Sequence, residues 1–404
     1  MKQKIILAYS GGLDTSVILK WLVNKGYNVI AYIADVGQKE DFKKIKEKAI
    51  KTGASKVYIE DLKKELVEQY IFQIIKANAI YEGNYLLGTA IARPLIAKKQ
   101  VEIAKKEGTK ILAHGCTGKG NDQVRFELTW MTFLPDVQII SPWKEDDWLN
   151  QFKGRKDLIN YAKKEKIPID VNINKPYSTD ENLLHMSYES GILEDTKCSP
   201  VENMFKLTVS PKKAPDKETR IIIEFKQGMP VKIINLTDKK EIIGSVKLLA
   251  YLNKIAGENG IGRIDIVENR FIGLKSRGIY ETPAGTILFK AHKDLESITL
   301  DKQIFQLKEL MAPIIAKMIY NGFWFSPGMK FLMAAVDESQ EYVSGKVYMT
   351  LYKGNIIITG RESKYSLYNQ PLASMEEFGD FNQKDASGFI KIIGLGSKLY
   401  GVKK

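Results

Sequence analysis

One stretch near the start of the chain, Ala8-Tyr9-Ser10-Gly11-Gly12-Leu13-Asp14-Thr15-Ser16, limits what the rest can be. Ahead of it, Ile5-Ile6-Leu7-Ala8 is a continuous apolar run, the pattern of a strand buried on both faces. Behind it, Val17, Ile18, Trp21 and Leu22 recur at helical spacing, and Gly26 stands where a helix wants its C-terminal cap. The glycine pair therefore falls on a strand-to-helix turn. Lacking Cβ atoms, it lets a bulky anion approach the backbone, and the first-turn amides carry roughly half a positive charge from the helix dipole. Ser10, Thr15 and Ser16 add hydroxyl donors. Turn chemistry leaves two readings: a cradle for phosphate or pyrophosphate, or an ordinary Gly-Gly turn capped by a hydroxyl side chain.

The pattern around the turn repeats. Strands are expected at Val29–Ala34, Lys56–Ile59, Lys110–His114 and Val137–Ile140, with helices over Glu40–Thr52, Leu62–Ala77 and Thr89–Lys106 and from Gln123. Pro94 is placed near the first turn of its helix, where proline is tolerated. Such alternation implies an α/β domain, a doubly wound parallel sheet over residues 1–166 with its ligand site at the strands' carboxyl ends. From residue 167 the texture changes. Asn172 to Tyr177 reads as an irregular crossing segment. Strand-like runs follow at Met204–Val209, Arg220–Phe225, Val231–Ile234 and Arg263–Val267, with helices at Ser245–Glu258, Leu288–Leu295 and Lys302–Tyr320. A hairpin of Lys346–Tyr352 and Asn355–Thr359 turns at Lys353-Gly354. Residues 167–362 thus form a second, α+β domain. Residues 363–404 are too few to build a core and are expected to pack on a neighbouring subunit.

Composition removes several classes of function. No apolar run approaches the roughly 20 residues that span a bilayer, and Met1-Lys2-Gln3-Lys4 leads straight into the first strand without a signal-peptide pattern. Two cysteines, Cys116 and Cys198, make a disulfide framework untenable and point to a reducing cytoplasm. The histidines, His114, His185 and His292, are too far apart for zinc-site spacing. The net charge of +13 would suit nucleic acid. The lysines alternate with glutamate on helix faces, however, as in Lys43-Lys44-Ile45-Lys46-Glu47-Lys48, without an aromatic-interleaved basic tract. Acidic small molecules fit the sign equally well.

A second glycine-rich loop, Gly115-Cys116-Thr117-Gly118-Lys119-Gly120-Asn121-Asp122, follows the Lys110–His114 strand. With Arg125 it offers hydroxyl and amide donors, a carboxylate acceptor and a guanidinium fork suited to a carboxylate. A flexible loop ending in Asp122 as a helix N-cap is the plainer reading. Cys116 has no histidine evidently placed to activate it and reads as a small buried thiol.

The first loop lacks the Gly-Lys-Ser/Thr of a Walker motif and resembles the pyrophosphate loop of the ATP pyrophosphatases. With Tyr-Glu-Gly-Asn-Tyr-Leu-Leu-Gly-Thr at 81–89 and Gly-Lys-Gly-Asn-Asp-Gln-Val-Arg-Phe-Glu at 118–127, the chain is similar to the argininosuccinate synthase family. Ser-Thr-Asp-Glu-Asn-Leu-Leu-His at 178–185, the run from Val267 to Pro283 and Asn382 to Lys391 extend the likeness over the whole chain. The resemblance implies an adenine nucleotide α-hydrolase-like first domain and a ligase of arginine biosynthesis joining citrulline and aspartate through citrullyl-AMP, with Mg²⁺ bridging phosphate oxygens and a homotetramer exchanging its tails. It places ATP against Ala8, Tyr9, Ser10, Gly11, Gly12, Leu13, Asp14, Thr15, Ser16, Ala34 and Gly115. Citrulline falls to Tyr85, Asn121, Arg125, Ser178, Ser187, Glu268 and Tyr280, and aspartate to Thr117, Asn121 and Asp122. Asp14 and Asp122 are the side chains expected at the phosphate-metal and amine contacts. Two departures stand out: Ala90 where members often carry serine, and Cys116 in place of a common alanine. Two rivals share the first loop, a tRNA-modifying ATP pyrophosphatase and a nucleotide-binding regulator without catalysis.

Overall fold

The computed structural model describes residues 2–168, 177–375 and 381–403. Of the crossing segment expected at Asn172–Tyr177, residues 172–176 lie outside them. Five strands, β1 (Lys4–Ala8), β2 (Asn28–Asp35), β3 (Lys56–Asp61), β4 (Ile111–Ala113) and β5 (Gln138–Ile140), form one sheet in the order β3-β2-β1-β4-β5. Every pairing in it is parallel. The chain winds outward through β2 and β3, then returns to the other side of β1 with β4. That reversal opens a crevice at the carboxyl ends of β1 and β4, the usual ligand position in such sheets. Both glycine-rich loops leave those two strands. Ile5, Ile6 and Leu7 are fully buried, as a strand covered on both faces requires.

The rest of the chain supplies β6 (Ser178–Glu181), β7 (Met186–Glu189), β8 (Thr219–Lys226), β9 (Met229–Asn235), β10 (Lys240–Ile243), β11 (Arg263–Asn269), β12 (Lys275–Glu281), β13 (Gly345–Tyr352) and β14 (Asn355–Glu362). They pair antiparallel into two sheets, β11-β12-β7-β6 and β10-β9-β8-β13-β14. Buried Leu248, Leu252, Ile287, Leu288 and Leu295 from the helices Ser245–Glu258 and Pro283–Thr299 join Ile221, Ile223, Val347 and Met349 of the second of these sheets in one core. Among the described residues no helix is long and apolar enough to cross a membrane.

Three local expectations are corrected. Met204–Val209 is not a strand. A short turn at Glu202–Met204 leads into backbone whose amides at Lys206, Leu207 and Thr208 donate to the buried Glu281 carboxylate at 2.8, 3.0 and 2.7 Å. A side chain replaces the neighbouring strand that those amides would need. Pro94 lies beyond the first turn, as the seventh residue of the Gly88–Glu107 helix, and its missing N–H leaves the Ala90 carbonyl without a helical donor. The helical stretch after β3 is interrupted by a π-turn at Val67–Ile71. A helix at Pro327–Ser339, capped by Ser326 Oγ accepting from Met329 N at 3.2 Å, was not anticipated.

Candidate active site

The turn after β1 is held from three sides. Gly11 adopts φ +76°, and a Cβ there would come within 2.9 Å of Ile45 Cγ2, so both backbone and space call for glycine. The Lys48 ammonium donates to the Gly11 carbonyl at 2.6 Å. Ser10 Oγ accepts the Gly12 amide at 3.3 Å and lies 3.1 Å from Thr15 Oγ1. The helix Leu13–Asn24 starts immediately, its first hydrogen bond running from Ser16 N–H to Gly12 C=O at 3.1 Å. The amides of Leu13 and Thr15 therefore have no helical carbonyl to serve and face the crevice. Ser16 does not join them. Its hydroxyl is fully buried, donates to Gly12 O at 2.7 Å and takes a hydrogen bond from Tyr9 OH at 3.0 Å, so it braces the turn from behind.

The crevice widens into a cleft of about 1100 Å³ that every other residue assigned from the sequence to ATP, citrulline or aspartate helps to line. Ala8 to Thr15, Ala34 and Gly115 form one wall; Tyr85, Asn121, Asp122 and Arg125 form the floor; Ser178, Ser187, Glu268 and Tyr280 come from β6, β7, β11 and β12. Thr117 lies on the loop between. The register accounts for part of this gathering, since Ser187 sits opposite both Asp180 and Tyr280 across the sheet. At Asp14, burial raises the carboxyl above its ordinary value, opposed by its own backbone amide and the Arg155 guanidinium.

The polar groups of the floor form one connected chain. Asp122 accepts from Arg93 Nε at 2.9 Å and from Arg125 Nη1 at 2.7 Å. Burial would raise its pKa, but the two guanidiniums overcome that and bring it down to about 2. Arg93 Nη2 reaches Asp180 at 2.6 Å. Thr89 Oγ1 lies 3.1 Å from the same Asp180 oxygen and 3.0 Å from His185 Nε2. A carboxylate only accepts, so Thr89 donates to Asp180 and takes its proton contact from His185. His185 is thereby fixed as the Nε2–H tautomer, in agreement with its buried Nδ1, which has no hydrogen-bond partner among the described residues. Burial depresses its pKa to about 4, with Asp180 opposing and Arg93 adding to the effect.

Arg125 donates from Nε and Nη2 to the Tyr320 carbonyl at 3.0 and 2.7 Å, so the fork expected to meet a carboxylate is half occupied by protein. A ligand carboxylate can still use the remaining N–H groups of Nη1 and Nη2. Tyr320 OH and Tyr280 OH donate to Glu268 at 2.6 and 2.8 Å, and Tyr280 stacks on Tyr85 with centroids 4.4 Å apart. Burial holds the Glu268 pKa above its ordinary value, the two phenols and Arg125 acting against it. Burial likewise pushes the Cys116 thiol well up, and the neighbouring His114 spends Nδ1 on the Cys116 amide and Nε2 on Glu127. That disposition offers the thiol no base.

Arg93, Asp180, Thr89, Tyr320 and Lys48 were not singled out from the sequence. The i, i+4 spacing of Thr89 and Arg93 marks one helix face, and Asp180 lies inside the 178–185 motif; Tyr320 and Lys48 carry no comparable local mark.

Comparison with known proteins bears on the same residues. Residues 4–168 match the family described as "Arginosuccinate synthase N-terminal HUP domain", and residues 177–400 match "Arginosuccinate synthase C-terminal domain". A protein of Thermotoga sp. (strain RQ2) named argininosuccinate synthase is 59% identical over 404 residues, 100% of this chain and 99% of its own. Proteins of the same name from Rattus norvegicus and Xenopus laevis are 53% and 52% identical over 399 residues, 99% of this chain and 97% of theirs. A solved chain from Methanocaldococcus jannaschii, titled a predicted subunit of tRNA methyltransferase, overlaps with a TM-score of 0.27 and 22% identity over 40% of this chain and 76% of its own, too slight to bear on the reading.

Proposed function

This chain belongs to the argininosuccinate synthase family, and from that premise we propose how its cleft divides the work of one ligase reaction. ATP, L-citrulline and L-aspartate become argininosuccinate, AMP and diphosphate. The ureido oxygen attacks the α-phosphorus, and the bond to diphosphate breaks with its electron pair leaving on diphosphate. The aspartate amine then attacks the ureido carbon, AMP departs with the C–O electron pair, and the amine sheds a proton.

The observation that carries the assignment of roles is the single cleft uniting the Gly11-Gly12 turn with the Tyr85, Glu268 and Tyr280 cluster. The turn's amides would hold the two outer phosphates, charge complementarity preorganised before ATP arrives. Tyr85, Asn121, Arg125, Ser178, Ser187, Glu268 and Tyr280 would orient citrulline, and Thr117, Asn121 and Asp122 would receive aspartate. Asp122, held at about 2 by its arginines, suits a charge contact to the amine better than proton abstraction. Among the described residues no three His, Cys, Asp or Glu side chains gather as a metal cage. Mg²⁺ would come with ATP and neutralise phosphate charge, and Asp14, the turn's carboxylate, lines the cleft where it could help hold the ion.

The division into residues 1–166, 167–362 and a tail from 363 is part of this proposal. So is a homotetramer in which the tail covers a neighbour. The helices Gln383–Ile393 and Leu395–Val402 bury nothing on their own chain and expose Phe389, Ile390, Ile393 and Leu399, which supports such exchange. A cytoplasmic setting is supported by two free cysteines.

Incubation with ATP, Mg²⁺, citrulline and aspartate should yield AMP and argininosuccinate. Diphosphate release that depends on tRNA, or ATP binding without AMP formation, would refute the reading.

A further inference from the structure

We propose that Arg270 is a positioning residue for the second half of the reaction, setting the 115–122 loop where aspartate meets activated citrulline. The inference rests on the functional reading above. Three successive carbonyls of that loop are tied down by two side chains from opposite sides. Gln123 Nε2, on the helix that follows the loop, donates to Gly118 O at 2.7 Å and Gly120 O at 3.1 Å. The carbonyl between them, Lys119 O, accepts from Arg270 Nη1 at 3.0 Å. Arg270 follows β11 in the second domain, two residues after Glu268, and both line the cleft. Its Nη2 is anchored on Glu189 of β7 at 2.9 Å. Beside it, Phe271 N donates to Asn121 Oδ1 at 3.0 Å.

One hairpin therefore carries Glu268 and also fixes the loop bearing Thr117, Asn121 and Asp122. Among the described residues no hydrogen bond or ion pair joins Arg270 to the Gly11-Gly12 turn or to the stacked Tyr85 and Tyr280. Loss of its guanidinium frees the middle of the loop while leaving the ATP turn and the aromatic wall as they are. Asn121, shared with citrulline, stays tied to the Phe271 amide, so the adenylation half, which needs no aspartate, survives; the C–N bond-forming half does not run at ordinary aspartate concentration.

The test uses the full chain as wild type, Arg270→Ala and Arg270→Lys. Citrulline-dependent exchange of labelled diphosphate into ATP, without aspartate, reads the first half; the KM for aspartate in the complete reaction reads the second. Removing a charge-assisted hydrogen bond predicts a rise of about 10- to 100-fold in the aspartate KM for Arg270→Ala. Exchange should stay within about threefold of wild type, and Arg270→Lys, which keeps the cation and one donor, should recover part of the loss. Exchange and complete turnover falling together, or an unchanged aspartate KM, would overturn the assignment. Absence of citrulline-dependent exchange in the wild type would instead refute the functional reading itself.

Discussion

Gly12→Val separates the phosphate cradle from the fold that bears it. Gly12 sits at φ −70° and ψ 176°, extended backbone open to any residue, and the nearest atom to an added Cβ is Ser10 Oγ at 3.4 Å, an ordinary contact. Valine is a poorer helix N-cap than glycine but loses less backbone entropy on folding, so stability should shift by no more than about 1 kcal/mol. The cost falls on the ligand. The valine methyls would project from the mouth of the turn and keep a phosphate from the Leu13 and Thr15 amides. Two hydrogen bonds to a charged group, at roughly 1.5–3 kcal/mol each, amount to about 3–6 kcal/mol, or roughly 10²- to 10⁴-fold in kcat/KM for ATP. Diphosphate exchange and a urea melt on the same preparation measure both sides. Gly11→Ala is the contrasting control: at φ +76° and 2.9 Å from Ile45 Cγ2 it should lose at least about 1–2 kcal/mol of stability. Exchange within threefold of wild type in folded Gly12→Val would refute the cradle.

Arg125→Ala should raise the KM for citrulline more than that for ATP and also lower stability by about 2–4 kcal/mol, because the Tyr320 carbonyl and Asp122 lose donors; equal KM changes would make Arg125 purely structural. Glu281→Gln should cost about 3 kcal/mol in urea unfolding, since the carboxylate accepts from Tyr188 OH, three backbone amides and Thr208 Oγ1 and an amide cannot take them all; a loss under 1 kcal/mol would contradict that. His185, neutral in the fold down to about 4 against an ordinary 6.5, lets the unfolded chain bind more protons below pH 6.5. Stability should therefore fall as pH drops from about 6.5 to 4, by up to about 3 kcal/mol from this residue, and His185→Gln should flatten that part of the pH profile of urea unfolding.

The parallel sheet was legible because its strands are continuous apolar runs and its turns carry glycine, both local signals. The short strands β6 and β7 were not, since Ser178-Thr179-Asp180-Glu181 has no apolar alternation and is held by pairing with Met186–Glu189, which pairs in turn with β12. Met204–Val209 misled for the converse reason: its apolar pattern is that of a strand, but its amides are taken by Glu281, more than seventy residues away. Ser16 was counted among the phosphate donors for its hydroxyl beside the glycine turn and by resemblance. Helix geometry turns it inward, four residues from the carbonyl it serves.

The site shows the same division more sharply. Residues that line the cleft were singled out where they occur in compact motifs and passed over where they act through one another. His185, Thr89, Asp180, Arg93, Asp122, Arg125 and Tyr320 form an unbroken series in which each donor meets an acceptor, and Tyr320 OH carries it on to Glu268 and Tyr280. Carboxylate and guanidinium alternate from Asp180 through Arg93 and Asp122 to Arg125, so none of these four can reorient without leaving a neighbouring charge short of a partner. A cleft fixed in this way presents its charges before substrate enters, and reorganisation at the moment of reaction is correspondingly small. Sequence neighbours contribute only the link of Asp122 with Arg125. The other links join residues 12 to 195 positions apart, and only the fold brings them together.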